Sequence, residues 1–168
     1  MSYLPADFPA AILIVQHMQK SHTEQLAMQL NRLSPLDVKE AEAGDRVVAG
    51  RVLIAPGGMH MVVSMGKRIS LLDTEPVNFV KPSADILFES VAMMYGERSI
   101  GVILTGIGCD GAGGAGLIRA AGGRIIAEDQ STCVVFGMPK AVIDSQLAHE
   151  VQPLQHIAPR LKSLSKPQ

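Results

Sequence analysis

Two short aliphatic segments, Ala11–Val15 and Ser99–Leu104, constrain the fold of this 168-residue chain more than any other feature. Each segment has the length of a β-strand and is apolar on both faces, which is typical of strands buried inside a parallel sheet. Helical spacing follows each of them, at about Thr23–Leu33 and around Leu117–Ala121. Buried strands that alternate with helices predict an α/β fold with a doubly wound, mainly parallel sheet and flanking helices, in three layers.

Further strands and helices are predicted from alternation, turn residues and capping. The turn residues Met65-Gly66-Lys67 separate two alternating segments and predict a small hairpin. Ser83 is a good N-cap for a helix that Gly96 would end. The remaining predicted segments are the strands Arg51–Ala55, His60–Ser64, Arg68–Leu72 and Arg124–Ala127 and a short helix at Pro139–Ser145.

The composition excludes several classes of protein. Hydrophobic residues make up 47% and charged residues 18%, so the chain is not intrinsically disordered. No segment is long and apolar enough to span a membrane. The net charge of −1 and the scarcity of aromatic residues argue against a nucleic-acid surface, and two cysteines are too few for a disulfide framework. We therefore expect a cytoplasmic protein with no nucleic-acid partner and no membrane insertion.

His17 and Asp110 are the candidate catalytic pair. His17 comes just after Ala11–Val15, and Asp110 lies in the glycine-rich loop after Ser99–Leu104. Ligands of open α/β sheets bind in the crevice outside the carboxyl ends of the strands, where both residues are expected. A carboxylate at a helix N-terminus stays ionised, and an ionised aspartate can hold a histidine in one tautomer. The alternative is that Asp110 only caps the helix that follows it.

The same loop also fits a dinucleotide-binding fingerprint. Gly106, Gly108 and Gly111 have the Gly-x-Gly-x-x-Gly spacing between a strand and a helix, and Glu128 lies twenty residues after Gly108. The carboxylate of Asp110 argues against this function, because a pyrophosphate needs bare N–H groups at the helix N-terminus.

Other polar residues give weaker predictions. None of the candidate nucleophiles lies on the sharp strand-to-helix turn that presents an attacking oxygen. No standard metal-ligand spacing occurs either, so we expect neither a metal nor a cofactor. Three further histidines are expected at the surface: His22, His149 and His156. His60 is expected in the hairpin, and its alternative place is in the crevice. The candidate nucleophiles are the hydroxyl and thiol groups of Ser21, Ser131, Thr132 and Cys109.

A series of sequence blocks occurs in an order known from one family. The blocks are Leu4-Pro-Ala-Asp-Phe-Pro9, Val15-Gln-His-Met18, Ile54-Ala-Pro-Gly57 with His60, Pro76-Val-Asn78, Lys81-Pro-Ser-Ala-Asp85, Gly101-Val-Ile-Leu-Thr-Gly106, Asp110-Gly-Ala112 and Cys133-Val-Val-Phe-Gly-Met-Pro139. Over nearly its whole length the chain resembles the catalytic domain of the bacterial chemotaxis protein-glutamate methylesterases. It departs from them at Lys81 and Ile107, where the family usually has Arg and Met.

The resemblance implies an enzyme that hydrolyses glutamyl methyl esters, and deamidates glutamines, on the cytoplasmic helices of methylated chemoreceptors. It implies a Ser-His-Asp triad in which His17 is the histidine and Asp110 the aspartate. The backbone N–H of Ile107 would help to form the oxyanion hole. Residues 1–160 are expected to form the methylesterase-type catalytic domain, incomplete at its N-terminus, with 161–168 as a tail.

The family's nucleophilic serine lies in a Gly-Ala-Ser-Thr-Gly-Gly segment that these 168 residues do not contain. In the family this segment follows a central strand. A receiver domain usually precedes the family's catalytic domain, and whether a phosphorelay controls this chain in trans stays open. Three hypotheses follow: a methylesterase whose sequence is clipped, a short paralogue without esterase activity that binds receptors or another partner, and a dinucleotide-binding α/β protein. We expect no ester hydrolysis from the 168 residues alone.

Overall fold

The computed structural model describes residues 3–165. Strands and helices alternate along the chain except for four consecutive strands, β2 to β5, and a 3₁₀ turn at Gly96–Arg98 links the second helix to the sixth strand. The part of the predicted tail after residue 165 lies outside the described residues. In chain order the elements are β1 (Ile12–Ile14), α1 (Lys20–Leu33), β2 (Asp37–Glu40), β3 (Arg51–Ile54), β4 (His60–Ser64), β5 (Arg68–Leu72), α2 (Ala84–Tyr95), β6 (Ile100–Ile103), α3 (Ala112–Ala120), β7 (Arg124–Glu128), α4 (Met138–Asp144), β8 (Glu150–Gln152) and α5 (Leu154–Leu164).

The parallel strands form two three-stranded sheets, and the predicted hairpin forms a third, antiparallel pair. The first sheet has the order β1-β3-β2, with Leu13 opposite Leu53. The second has the order β6-β7-β8, with Ile103 opposite Ala127. Strands β4 and β5 pair antiparallel around the predicted Met65–Lys67 turn, with Val62 opposite Ser70. The mainly parallel α/β architecture is therefore confirmed, with its parallel strands divided between two sheets.

Helices cover both faces of the first sheet, which gives the predicted three layers. Ile12 and Ile14 of β1 pack with side chains of α1 and α5 on one face. Leu13 points to the other face, where it packs with the hairpin and with α2. This alternation buries apolar side chains on both sides of the strands, and that burial is the main source of stability for such a layer.

Strands β1 and β6 are less buried than the sequence predicts. All three residues of β1 are half-buried, and only Gly101 and Ile103 of β6 are fully buried. The expectation of complete burial is wrong because each strand lies at the edge of its sheet: among the described strands, β1 pairs only with β3 and β6 only with β7. The loops that follow these two edge strands carry His17 and Asp110.

Candidate active site

His17 and Asp110 form a direct hydrogen bond, as the sequence predicts. The distance from Nε2 of His17 to Oδ2 of Asp110 is 2.8 Å. The imidazole remains 26% exposed, whereas the carboxylate is only 3% exposed. The pair therefore has one buried partner that is fixed and one partner that solvent and a ligand can reach.

The Asp110 carboxylate accepts four hydrogen bonds. Besides His17, its donors are the Ser83 hydroxyl at 2.6 Å and the backbone N–H groups of Ala84 at 2.6 Å and Asp85 at 3.3 Å. These donors belong to the N-terminus of α2. The alternative, that Asp110 only caps the helix after it, is therefore wrong, since Gly111 is the N-cap of α3 and Asp110 accepts its hydrogen bonds from α2. Free N–H groups and the helix dipole at that end stabilise a negative charge.

Asp110 is ionised at neutral pH. Burial raises the pKa of its carboxyl group, but the hydrogen bonds from His17, Ser83 and the backbone of Ala84 and Asp85 outweigh burial and hold the pKa at about 2. A carboxylate can only accept hydrogen bonds, so Nε2 of His17 carries the proton. The other ring nitrogen, Nδ1, is left with a free lone pair when the ring is neutral, and this atom is the candidate general base.

A buried histidine supports this site, although the sequence favoured a place for it in the hairpin over the alternative in the crevice. His60 is fully buried, its Nδ1 accepts the backbone N–H of Ser83 at 3.1 Å, and its Nε2 donates to the carbonyl of Glu75 at 3.0 Å. A buried chain of hydrogen bonds thus runs from His60 through Ser83 to Asp110. The Lys81-Pro-Ser-Ala-Asp85 block was the available signal, but its spacing alone does not reveal that the Ser83 hydroxyl points to Asp110.

The loop that leads from β6 to Asp110 carries a free backbone donor at Ile107. Ile107 is 82% exposed, and within residues 3–165 its N–H has no acceptor. Gly106 holds the start of the loop, since its N–H donates to Val135 and its carbonyl accepts from Gly137 and Met138. Such a fixed backbone with an unused N–H can stabilise a developing oxyanion.

The buried carboxylate of Glu128 holds the same loop in place. It is 1% exposed, and it accepts the Thr105 N–H at 2.8 Å and the Thr132 hydroxyl at 3.0 Å. Thr105 in turn exchanges hydrogen bonds with the backbone of Val135. Glu128 is therefore occupied inside the protein and is not free for the ribose contact that a dinucleotide site requires. Gly106 also argues against a dinucleotide site, because it packs against protein. A Cβ added at Gly106 would lie 2.4 Å from Sδ of Met138.

Within residues 3–165 the weaker candidates make no hydrogen bond to His17. The Ser131 hydroxyl donates to Asp129, and the Thr132 hydroxyl belongs to the Glu128 network. Burial and the nearby Glu128 raise the pKa of the Cys133 thiol, and Cys109 is exposed. His22, His149 and His156 are exposed as predicted. Among the described residues, Asp110 is the only side chain that hydrogen-bonds to His17.

An open groove of about 490 Å³ lies beside His17. It runs between the start of α1 and the segment before α2. Of its lining side chains two are lysines and none is a carboxylate. The residues that line it are His17, Met18, Gln19, Lys20, Gly58, Val80 and Lys81.

The position of α1 beside this groove is fixed by a buried threonine. Thr23 is fully buried, its hydroxyl donates to the Glu40 carboxylate, and it accepts the Gly57 N–H at 3.0 Å. Gly57 has no room for a side chain, since an added Cβ would lie 2.5 Å from the backbone nitrogen of Lys20. The loop after β3 thus supports the turn that leads from His17 into α1.

No helix in residues 3–165 is long and apolar enough to cross a bilayer.

Comparisons with known proteins agree with the geometry. A family model described as CheB methylesterase matches residues 1–161. A protein-glutamate methylesterase/protein-glutamine glutaminase of Symbiobacterium thermophilum is 54% identical over 155 residues, which are 92% of this chain and 43% of that protein. A protein of the same name from Archaeoglobus fulgidus is 50% identical over 158 residues, 92% of this chain and 45% of that protein.

A solved structure shows the same fold. The crystal structure of the Thermotoga maritima CheB methylesterase catalytic domain superposes with a TM-score of 0.94 at 43% sequence identity, and the match covers 97% of this chain and 88% of that one. The chain spans less than half the length of the two curated relatives described above.

Proposed function

This chain belongs to the CheB methylesterase family, and from that premise we propose that it provides the histidine and aspartate for hydrolysis of glutamyl methyl esters in a protein substrate. The observation that carries this proposal is the 2.8 Å hydrogen bond between His17 and the buried, ionised Asp110. In this proposal residues 1–160 act as the methylesterase-type catalytic domain.

The reaction divides into acylation and deacylation. In acylation, Nδ1 of His17 removes the proton of a serine hydroxyl as the oxygen attacks the ester carbonyl, and the Ile107 N–H stabilises the resulting oxyanion. The intermediate collapses, His17 returns the proton to the leaving methoxide, and methanol departs. In deacylation a water molecule attacks the acyl-serine with the same help from His17, which frees the glutamate carboxylate. With a glutamine substrate the leaving group is ammonia.

Asp110 supports both steps without exchanging a proton. Its carboxylate keeps Nε2 protonated and so leaves Nδ1 as the base, and its negative charge stabilises the imidazolium that forms during attack. The serine in this proposal is that of the family's Gly-Ala-Ser-Thr-Gly-Gly segment, which the 168 residues do not contain. The proposed substrates are the cytoplasmic helices of methylated chemoreceptors, which places the proposed activity in the cytoplasm.

The proposal is tested with a fusion in which the family's serine segment precedes the 168 residues. Methanol release from methylated chemoreceptor membranes is measured for the fusion and for its Ser→Ala, His17→Ala and Asp110→Asn variants. We expect release that the serine and His17 variants lower by about 10⁶-fold, as in other triad hydrolases, with a smaller loss for Asp110→Asn. Unchanged release in the His17→Ala variant would overturn the proposal.

A second candidate function is a receptor-binding module without hydrolysis. It is favoured by one observation, namely the open groove beside His17, which can hold a segment of a partner protein without any reaction. This candidate predicts that the fusion binds methylated receptor membranes yet releases no methanol, and that the isolated 168 residues bind them equally well.

A further inference from the structure

Phe79 stands out as an exposed aromatic residue in a strained backbone conformation. Its side chain is fully exposed, and its φ is +64°, directly after Asn78 at +52°. Asparagine tolerates the left-handed region, but a bulky residue there is a genuine outlier that costs free energy. The fold therefore holds an apolar side chain in solvent at a cost in stability, and within residues 3–165 Phe79 belongs to none of the apolar clusters.

The turn that carries Phe79 is rigidly held. Val77 and Val80 exchange two backbone hydrogen bonds across it, at 3.1 and 3.0 Å. The side-chain amide of Asn78 donates to Asp85 at 2.7 Å. Since both backbone and side-chain contacts hold the turn, the backbone of Phe79 is fixed with its side chain exposed to solvent.

Asp85 connects this turn to the catalytic pair. Its other carboxylate oxygen accepts the Gly114 N–H of α3 at 2.6 Å, and its own backbone N–H donates to Asp110. Asp85 thus ties the Phe79 turn, the start of α2 and the start of α3 to one another. The residue after Phe79, Val80, lines the same groove as His17, so the backbone of Phe79 adjoins that groove.

We propose that Phe79 is an apolar anchor for the protein substrate, and this inference rests on the proposed function. The substrate it fits is an amphipathic helix that places a glutamyl ester beside His17 and an apolar side chain against Phe79. Lys20 and Lys81 line the groove, and their positive charges favour a helix with acidic side chains. Lys81 is paired with Asp73, and Glu75 belongs to the same segment, so these two carboxylates offset part of that positive charge. Preformed aromatic anchors are effective because little conformational entropy is lost when they bind.

The test uses the 168-residue chain, so it does not depend on a nucleophile. The probe is a synthetic, acidic, amphipathic helical peptide with one glutamyl γ-methyl ester, and its binding is followed by fluorescence anisotropy. A second peptide with apolar positions replaced by glutamine serves as the substrate control. The variants are Phe79→Ala, Phe79→Leu and Phe79→Gly, with Met65→Ala as matched control, because Met65 is 90% exposed at the hairpin turn.

We expect Phe79→Ala to weaken peptide binding about tenfold, the range of an interface anchor, while Phe79→Leu retains most of the affinity and Met65→Ala all of it. Phe79→Gly should bind as weakly as Phe79→Ala but unfold at an equal or higher temperature, because glycine relieves the backbone strain. This combination of lost binding and retained stability is not expected of a residue that only supports the fold.

The outcomes separate the two proposals. If the unmodified chain binds neither peptide, the anchor is wrong, whereas the proposed function is decided separately by methanol release from the fusion. If the chain binds the ester peptide and Phe79→Ala binds it equally well, the anchor is also wrong, and the methanol-release test of the proposed function is unaffected. A lower unfolding temperature for Phe79→Gly would make Phe79 a structural residue and would also overturn the inference.

Discussion

Nε2 of His17 lies 2.8 Å from Oδ2 of Asp110, although the two residues are 93 positions apart in the chain. Because His17 follows β1 and Asp110 follows β6, this hydrogen bond links the loops after the edge strands of two different sheets. Asp110 is held in turn by the N-terminus of α2, so the position of the imidazole depends on how β1, β6 and α2 are packed together.

Asp110→Asn should change how stability depends on pH. The folded-state pKa of about 2 lies below the ordinary value of 3.8, so the carboxylate stabilises the fold above about pH 4, and this stabilisation is lost as the pH falls toward 2. We expect the unmodified chain to lose about 2 kcal/mol more unfolding free energy than the variant over that interval. Urea denaturation at a series of pH values measures this.

The control for this experiment is Asp37→Asn, which removes an aspartate that is 58% exposed and paired with Arg51 on the surface. It should follow the pH dependence of the unmodified chain closely. If the unfolding free energy of the unmodified chain and of the Asp110→Asn variant changed equally with pH, the four hydrogen bonds would not favour the ionised form of Asp110.

Glu128→Ala should loosen the loop that presents Ile107. Without the carboxylate the Thr105 N–H loses its acceptor, and the loss of this part-buried hydrogen bond costs about 0.5–1.5 kcal/mol of unfolding free energy. Glu128→Gln keeps an oxygen for Thr105 and should cost less. Hydrogen exchange of the Thr105 amide, with thermal unfolding, measures both effects, and similar exchange rates in all three proteins would refute the anchoring role.

Gly114 sets how closely α3 approaches α2. An added Cβ would lie 2.5 Å from Cβ of Phe88 and 3.0 Å from Cα of Asp85, so Gly114→Ala should push the helices apart and cost about 1–3 kcal/mol.

Gly116→Ala in the same helix is the matched control for this substitution. The nearest atom to its added Cβ is 3.9 Å away, and alanine should stabilise α3 by up to about 1 kcal/mol. Denaturant unfolding of both variants should therefore give opposite signs, and destabilisation of equal size would mean that close packing of α2 and α3 is not the cause.

The aliphatic segments made the outline of the fold predictable. Ala11–Val15 and Ser99–Leu104 located β1 and β6, and their carboxyl ends located His17 and Asp110. The strand β2 at Asp37–Glu40 was missed because Val38 is its one apolar residue and because it forms through pairing with β3. β8 and α5 were missed for related reasons: β8 is three residues long, and α5 contains Pro159, which normally ends a helix.

The surroundings of Asp110 were less predictable than Asp110 itself. Its proximity to a helix N-terminus was expected, but the sequence pointed to the adjacent α3, whereas the structure shows α2. Which of the two helices approaches Asp110 depends on long-range packing, such as the contact of Gly114 with Phe88. No local sequence pattern encodes this packing. The contributions of Ser83 and His60 depend on the same packing and were missed for that reason.

The tautomer of His17 can be observed directly by nitrogen-15 NMR of the 168-residue chain, at a pH where the imidazole is neutral. The hydrogen bond to Asp110 predicts a proton on Nε2, seen as a direct one-bond coupling, and a bare, pyridine-type Nδ1. The Asp110→Asn variant should lose this preference. A proton on Nδ1 in the unmodified chain would contradict the assignment of Nδ1 as the general base and, with it, the proposed role of the His17–Asp110 pair.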